Sequence, residues 1–302
     1  MAARIYFLIV YACLGGNMNQ KRIFCIILLF IIASLDLSMV HSIQSSRGRF
    51  REKSQLGKEA ESFEILRAFM LPQEAYEEIT SRKKQTEAEK QESLLAYLFC
   101  QSIDQDDLKQ WCGREQEAEP HRYAQYMEIV EKLLADAVYF PVPEAINDDG
   151  AVVSYENSWQ SERTYGGVRG HEGCDLMAGI QQRGYYPIIS TSDGVVEKIG
   201  WLPKGGYRIG IRSPNGVYYY YAHLAEYEEG ITEGTEVTAG QLLGYMGDTG
   251  YSEVEGTTGN FPVHLHFGIY LDYENGDEIS YNPYYLLKIL EQNKLRYIFK
   301  HK

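Results

Sequence analysis

The chain has 302 residues, enough for about two domains, and 44% of them are hydrophobic, so it can bury substantial cores. Its formal charge is −13 and no basic stretch is dense enough to follow a phosphate backbone, which argues against nucleic acid as a partner. The same acidity gives no long-range attraction to anionic surfaces, so any attachment to a wall or membrane has to come from a dedicated segment.

Such a segment stands near the N-terminus. Lys21-Arg22 precedes an apolar run over residues 23–33, the layout of a basic n-region and a signal h-region. Asp36 cuts the run short of the roughly 20 apolar residues of a comfortable span. Residues 1–42 are therefore expected to be a signal peptide, with Val40-His41-Ser42 as a cleavage site, or an uncleaved anchor that leaves the rest of the chain exported. Met18-Asn19-Gln20 resembles the start of such a signal, and residues 1–17 are then an upstream extension. Residues 43–56 are polar and read as a linker.

Residues 57–139 carry a helical, Glu-rich pattern. Phe63, Leu66 and Met70 fall at helical spacing; Pro72 suits the first turn of the next helix; Leu94, Leu95, Leu98 and Phe99 form another stripe. The charged run from Arg82 to Lys90 reads as a solvated helix face. Pro120 opens a last helix with Met127, Val130, Leu134 and Ala137 on one face, and His121 sits on the surface near its start. Cys100 and Cys112 either pair in an oxidising compartment or stay as buried thiols.

The composition changes at Tyr139-Phe140-Pro141-Val142-Pro143. Beyond it Gly, Tyr, Val and Ile dominate and turn signals recur every 8–12 residues, which is β patterning. Pro214-Asn215-Gly216 joins two strands as a hairpin. In the second, Val217, Tyr219, Tyr221 and His223 share a face by alternation. Residues 263–270 read as a strand with Leu265, Phe267 and Ile269 facing a core and His264 and His266 on the opposite face. Upstream, the glycines at 166, 167, 170 and 173 disfavour a helix, so His171 and Asp175 lie on a loop entering a strand. Two imidazoles and a carboxylate are a donor set that zinc accepts, with a fourth position left for water. Cys174, next to Asp175, falls on the other strand face and reads as a packing residue.

At these residues the chain resembles the lysostaphin-type (LytM-domain) zinc endopeptidases of bacterial cell walls. The motif His-x-Gly-x-Asp stands as His171-Glu172-Gly173-Cys174-Asp175, the Tyr-Ala-His-Leu signature as Tyr221-Ala222-His223-Leu224, and His-x-His as His264-Leu265-His266. Flanking segments agree, among them Ser192-Asp193-Gly194-Val195-Val196 and Gly247-Asp248-Thr249-Gly250, and the resemblance spans about residues 140–287. It implies that His171, Asp175 and His266 bind Zn2+, that His264 and His223 are the catalytic histidines, and that peptidoglycan peptides are the substrate. Tyr165 sits where some relatives keep a tyrosine near the site, or is a packing residue. Two departures stand out. The stretch 251–263 is longer than in many relatives, and is either a determinant of substrate choice or a tolerated surface insertion; Gly268 replaces a commonly acidic position.

The expected architecture is α+β: a helical region at 57–139, a β-rich, mainly antiparallel zinc peptidase domain at 140–290 closed by a short helix near Tyr284, and a tail at 291–302. The expected reaction is hydrolysis of a stem-peptide or cross-bridge bond outside the cytoplasm, with the membrane reached through the N-terminal segment and with room for partner proteins of the wall or division machinery. The helical part either positions the peptidase domain or covers its cleft. A non-catalytic wall-binding module on the same fold, and a zinc peptidase acting on proteins, are the competing readings.

Overall fold

The computed structural model describes residues 54–273 and 276–299; the expected signal or anchor segment and most of the expected linker lie outside that range. Five helices come first: α1 Glu59–Ala68, α2 Gln73–Thr80, α3 Glu87–Cys100, α4 Gln105–Ala118 and α5 Pro120–Ala135. Their starts follow local chemistry. Thr86 and Glu89 form a reciprocal capping box at α3. The Asp104 carboxylate accepts from the Asp106 and Asp107 N–H groups at α4, and Pro120 occupies the first turn of α5, where its missing N–H costs nothing.

Three details differ from the sequence reading. Helix α1 ends at Ala68 because Phe69 turns left-handed at φ 45° and drives its ring into the core, which leaves Met70 47% exposed. The residues from Arg82 to Thr86 form the turn between α2 and α3, so only the end of that charged run lies on a helix. On α5 the buried face is Tyr123, Tyr126, Ile129, Val130 and Leu133, while Met127 and Leu134 are half-buried at its margin and Ala137 lies past the helix end. Tyrosines carry that face, and counting aliphatic residues alone rotates it. Cys100, Cys112 and Cys174 are free thiols; burial pushes Cys100 and Cys112 up to about 11. Among the described residues no helix is long and apolar enough to cross a membrane.

The strands follow: β1 Glu144–Ala145, β2 Val153–Ser154, β3 Glu162–Arg163, β4 Arg169–Gly170, β5 Cys174–Ala178, β6 Pro187–Ile189, β7 Gly194–Leu202, β8 Gly206–Arg212, β9 Tyr218–Tyr227, β10 Glu236–Val237, β11 Leu242–Met246, β12 His264–Asp272 and β13 Glu278–Tyr281. The main sheet runs β10-β7-β8-β9-β12-β5-β2, with β13 on β12 and β11 bridging β6 and β9. Every pairing within it is antiparallel. Strand β12 lies between β9 and β5 and alternates as expected: Leu265, Phe267 and Ile269 are buried against Leu176, Tyr219 and Tyr221. Helix α6 (Tyr284–Leu290) closes the domain, and β14 (Arg296–Tyr297) pairs in parallel with β1. Phe299 then packs edge-on against Tyr185 and Tyr186, so the last described residues are part of the core.

Helices and sheet share one hydrophobic core. Arg67 of α1 joins them: its Nε donates to the Ser280 carbonyl at 3.0 Å and its Nη2 to the Ser280 hydroxyl at 3.0 Å, while Asn282 N–H donates back to the Arg67 carbonyl at 2.8 Å.

Candidate metal centre and its cleft

The register of β12 on β5 sets Asp175 directly opposite His266. His171, just upstream of β5, is held through its backbone, whose N–H donates to Ser161 O and whose carbonyl accepts from Gln160 N–H, each at 2.9 Å. Three atoms converge. His266 Nδ1 lies 3.0 Å from Asp175 Oδ1, His171 Nε2 lies 3.1 Å from the same oxygen, and the two nitrogens are 3.0 Å apart. Donors bound about 2.0–2.1 Å from a tetrahedral zinc stand about 3.3–3.4 Å from one another. The observed triangle is therefore one face of such a tetrahedron, slightly contracted, and its two imidazoles and one carboxylate fit zinc in chemistry as well as size.

A second layer holds the triangle. Arg163 Nη2 donates to Asp175 Oδ2 at 2.6 Å, which ties down that oxygen and leaves Oδ1 on the metal side. Around His171 Nδ1 stand the Ser158 hydroxyl at 3.0 Å, the Ser158 carbonyl at 3.2 Å and Arg163 Nη2 at 3.0 Å; the carbonyl can only accept, so with the proton on Nδ1 the Nε2 lone pair is left for a metal. Burial raises the Asp175 carboxyl, but its close contacts with the His171 and His266 imidazoles outweigh it and hold the group well below the usual carboxylate range. It stays ionised, as a ligand must.

Gly173 is required for this packing. A Cβ there would lie 2.4 Å from His266 Cε1, 2.6 Å from His266 Nε2 and 2.8 Å from the Phe267 carbonyl oxygen. The glycine in His-x-Gly-x-Asp is the hole into which the second histidine fits.

His223 and His264 complete the site, the former by an unexpected route. Alternation places His223 with Tyr219 and Tyr221, which point into the core and are 0% exposed. The backbone breaks that alternation at His223 itself, where φ is +63° and the pairing of β9 with β11 shifts register just beyond. Its ring turns into the cleft, 4.7 Å from that of His264 and 6.0 Å from that of His266. The side chains of both flanking histidines are oriented by backbone carbonyls: His223 Nδ1 is 2.7 Å from Thr249 O and His264 Nδ1 is 2.8 Å from Pro262 O. Each Nδ1 carries the proton and donates, so each Nε2 presents a lone pair to the cleft. His264 Nε2 is 3.8 Å from Asp175 Oδ1, beside the triangle. Burial lowers the basicity of His223, His264 and His266, reinforced for His223 by its two imidazole neighbours.

The cleft over these residues measures about 270 Å³. From the long 251–263 stretch Tyr251 lines the cleft; Phe261 packs on Tyr251 at 4.8 Å, with its ring 4.6 Å from that of His223 and 5.1 Å from that of His264. Tyr165 stacks flat on Tyr251 at 4.5 Å, so it supports that ring and is not itself a lining residue. Cys174 is buried on the far face, as expected. Gly268 leaves room for the tyrosine floor of the cleft, since a Cβ there would meet Tyr270 Cε2 at 2.9 Å. Sequence reasoning missed Arg163, Ser158 and Phe261, which sit at irregular offsets from the motifs; a lone cation eight residues before His171 is the one usable signal.

Two imidazoles and a carboxylate with an open side, flanked by two more imidazoles on an antiparallel sheet, define a metallohydrolase-type centre. The description Peptidase family M23 matches residues 169–281, which contain all five of these residues. A solved structure from Ruminococcus gnavus, provisionally designated a glycyl-glycine endopeptidase lytM, is 39% identical with a TM-score of 0.66 and covers 78% of this chain and 94% of that one. That share exceeds what residues beyond 140 can supply, so the likeness runs into the helices. Among curated proteins, the L-Ala--D-Glu endopeptidase of Bacillus subtilis is 44% identical over 156 residues, 51% of this chain and 44% of that protein. The glycyl-glycine endopeptidase ALE-1 of Staphylococcus capitis is 32% identical over 122 residues, 38% of this chain and 30% of that protein. The chain thus spans less than half the length of either curated relative. It belongs to peptidase family M23.

Proposed function

We propose that the chain is a zinc-dependent endopeptidase that hydrolyses a peptide bond in peptidoglycan stem peptides or cross-bridges. One observation carries the reading: a single cleft gathers the three-atom triangle of His171, Asp175 and His266 and the free Nε2 atoms of His223 and His264. Zinc, when bound, lowers the pKa of its water toward 7 and polarises a carbonyl. The protein's own part follows from the geometry. His264 Nε2, beside the triangle and fixed by Pro262 O, takes the proton of the attacking water and returns it to the leaving amine. His223, its ring 4.7 Å from that of His264, also presents Nε2 to the cleft; as found it accepts, so it stabilises a developing oxyanion only once it has itself been protonated. Phe261 limits water on the flank of both rings.

The relatives' names offer two bond types, L-Ala–D-Glu and glycyl-glycine, and both are candidates here. Action at the bacterial wall, outside the cytoplasm, follows from such a substrate, with residues 1–42 as signal or anchor. We assign residues 57–139 a positioning role beside a peptidase domain at 140–290: no residue of the helical part lines the cleft, whereas Arg67 grips Ser280 and approaches Glu172 at 3.8 Å.

The test is digestion of purified peptidoglycan by the zinc-loaded protein, with His264→Ala beside it. Released muropeptides identified by mass are expected for the first and not for the second. Intact peptidoglycan after prolonged incubation with the zinc-loaded wild type would refute the reading.

A further inference from the structure

In a chain of net charge −13, the cleft is rimmed by cations. Arg163, Arg169 and Lys204 line it, against the carboxylates of Glu172 and Asp175. Arg163 is committed to Asp175. Glu172 has Arg67 as its nearest cation, at 3.8 Å. Arg169 and Lys204 form no ion pair among the described residues, and the one hydrogen bond of Arg169 is a long one, 3.4 Å, to the carbonyl of its own neighbour Gly170. Its Nε is buried and donates to nothing, as is Nη1 of Arg208 on β8 of the main sheet. A buried guanidinium N–H without an acceptor is costly, and a carboxylate is the acceptor its fork fits.

The floor between these cations is aromatic. Tyr220 projects from β9 toward the cleft, its ring 5.9 Å from His266, and its hydroxyl packs onto Gly205, where a Cβ would come within 2.2 Å of it. Gly205 follows Lys204 directly, so the lysine is anchored at the Tyr220 end of the cleft. Tyr218 and Tyr270 stand beside Tyr220 at 6.4 and 6.2 Å. Burial raises the Tyr220 phenol, and the positive charges of Arg208 and Arg169 pull it back. The cleft thus has a metal-ligand triangle at one place and unpaired positive charge on a semi-buried tyrosine floor next to it.

We infer that the cleft selects peptides bearing a free carboxylate next to the bond to be cut, docked on Arg169 with Lys204, over uncharged glycine bridges. The inference rests on the hydrolase reading of the same cleft. A free carboxylate meets the two cations with a full negative charge and two acceptor oxygens, whereas a carboxamide offers one neutral acceptor and brings an NH2 donor toward groups that are themselves donors.

The experiment compares L-alanyl-D-glutamyl-γ-L-lysine, whose glutamyl α-carboxylate is free, with the same peptide amidated at that carboxylate. Binding of each to the zinc-loaded His264→Ala protein is measured by calorimetry, and cleavage of each by the zinc-loaded wild type by chromatography. The acid is expected to bind at least tenfold more tightly, an advantage that shrinks with added salt and falls to within threefold in an Arg169→Gln, Lys204→Gln background whose zinc content is unchanged. Equal binding of the two peptides, or an acid preference that survives the double substitution, overturns the inference. Binding is read without turnover, so absence of cleavage by the wild type counts against the hydrolase reading, while the acid-to-amide ratio still decides this one.

Discussion

Replacing Gly173 by alanine puts a methyl carbon 2.4 Å from His266 Cε1 and 2.8 Å from the Phe267 carbonyl oxygen. Ordinary van der Waals contact begins near 3.4 Å, so the imidazole has to retreat by roughly 1 Å. It cannot do so freely. Its neighbour Phe267 is fully buried, and β12 is pinned on both sides by β5 and β9. Metal–ligand distances tolerate only about ±0.2 Å, so a 1 Å displacement removes His266 as an effective donor. The expected cost is about 1–3 kcal/mol of stability from overpacking and at least a 100-fold loss of zinc affinity, the upper end of what disturbing a ligand's support produces. Competition with a chromophoric chelator measures the affinity, and thermal unfolding of the metal-free protein measures the packing cost. Gly113→Ala is the control: it lies exposed within α4, nothing lies within 4 Å of its Cβ position, and the change should stabilise by about 0.5–1 kcal/mol with zinc affinity intact. A folded Gly173→Ala protein that binds zinc within threefold of wild type would refute the packing argument.

Other expectations separate the roles of individual side chains. His264→Ala should keep zinc and lose hydrolysis, whereas His266→Ala and Asp175→Ala should lose both, with metal content read by mass spectrometry; an active, zinc-free His266→Ala would overturn the ligand assignment. Arg163→Met, which frees Asp175 Oδ2, should weaken zinc binding about 10–100-fold while the chain stays folded, and unchanged affinity would mean the 2.6 Å contact does not orient the ligand. The metal-free protein should lose stability on acidification. Burial depresses His223, His264 and His266 below the unfolded value near 6.5, so the unfolded chain binds more protons as pH falls through that value. Each contributes a slope of up to about 1.4 kcal/mol per pH unit below it. Asp175, depressed in turn, stays ionised in both states above pH 5 and adds nothing in that window. A melting temperature that holds steady from pH 8 to 5.5 would contradict buried neutral imidazoles.

What the sequence made legible, and what it did not, follows from which constraints are local. The alternation of residues 263–270 is local, and β12 presents Leu265, Phe267 and Ile269 to the core and two histidines to the cleft as read. His171 and Asp175 are four residues apart, and the intervening glycine is explained by a contact with a strand nearly a hundred residues later, which spacing alone does not reveal. His223 is the instructive case. Its strand alternates faithfully through Tyr219 and Tyr221, and that alternation assigns it to the wrong side of the sheet; a single left-handed residue reverses the assignment. Such a residue costs on the order of 1–3 kcal/mol for a side chain with a Cβ, and here it is held by the Nδ1 contact with Thr249 O and by His223 N–H donating to Gly205 O at 2.8 Å. The strain is sustained at the point where the sheet must deliver an imidazole to its outer face. Tyr251, also left-handed at φ 51°, opens the 251–263 stretch in the same way. The two strained residues face each other, their rings 5.9 Å apart, and Phe261 packs against both of them and against His264. That arrangement makes the long loop part of the site's construction: its aromatic residues pack on the two imidazoles that the carbonyls of Thr249, just before the loop, and Pro262, within it, orient through Nδ1.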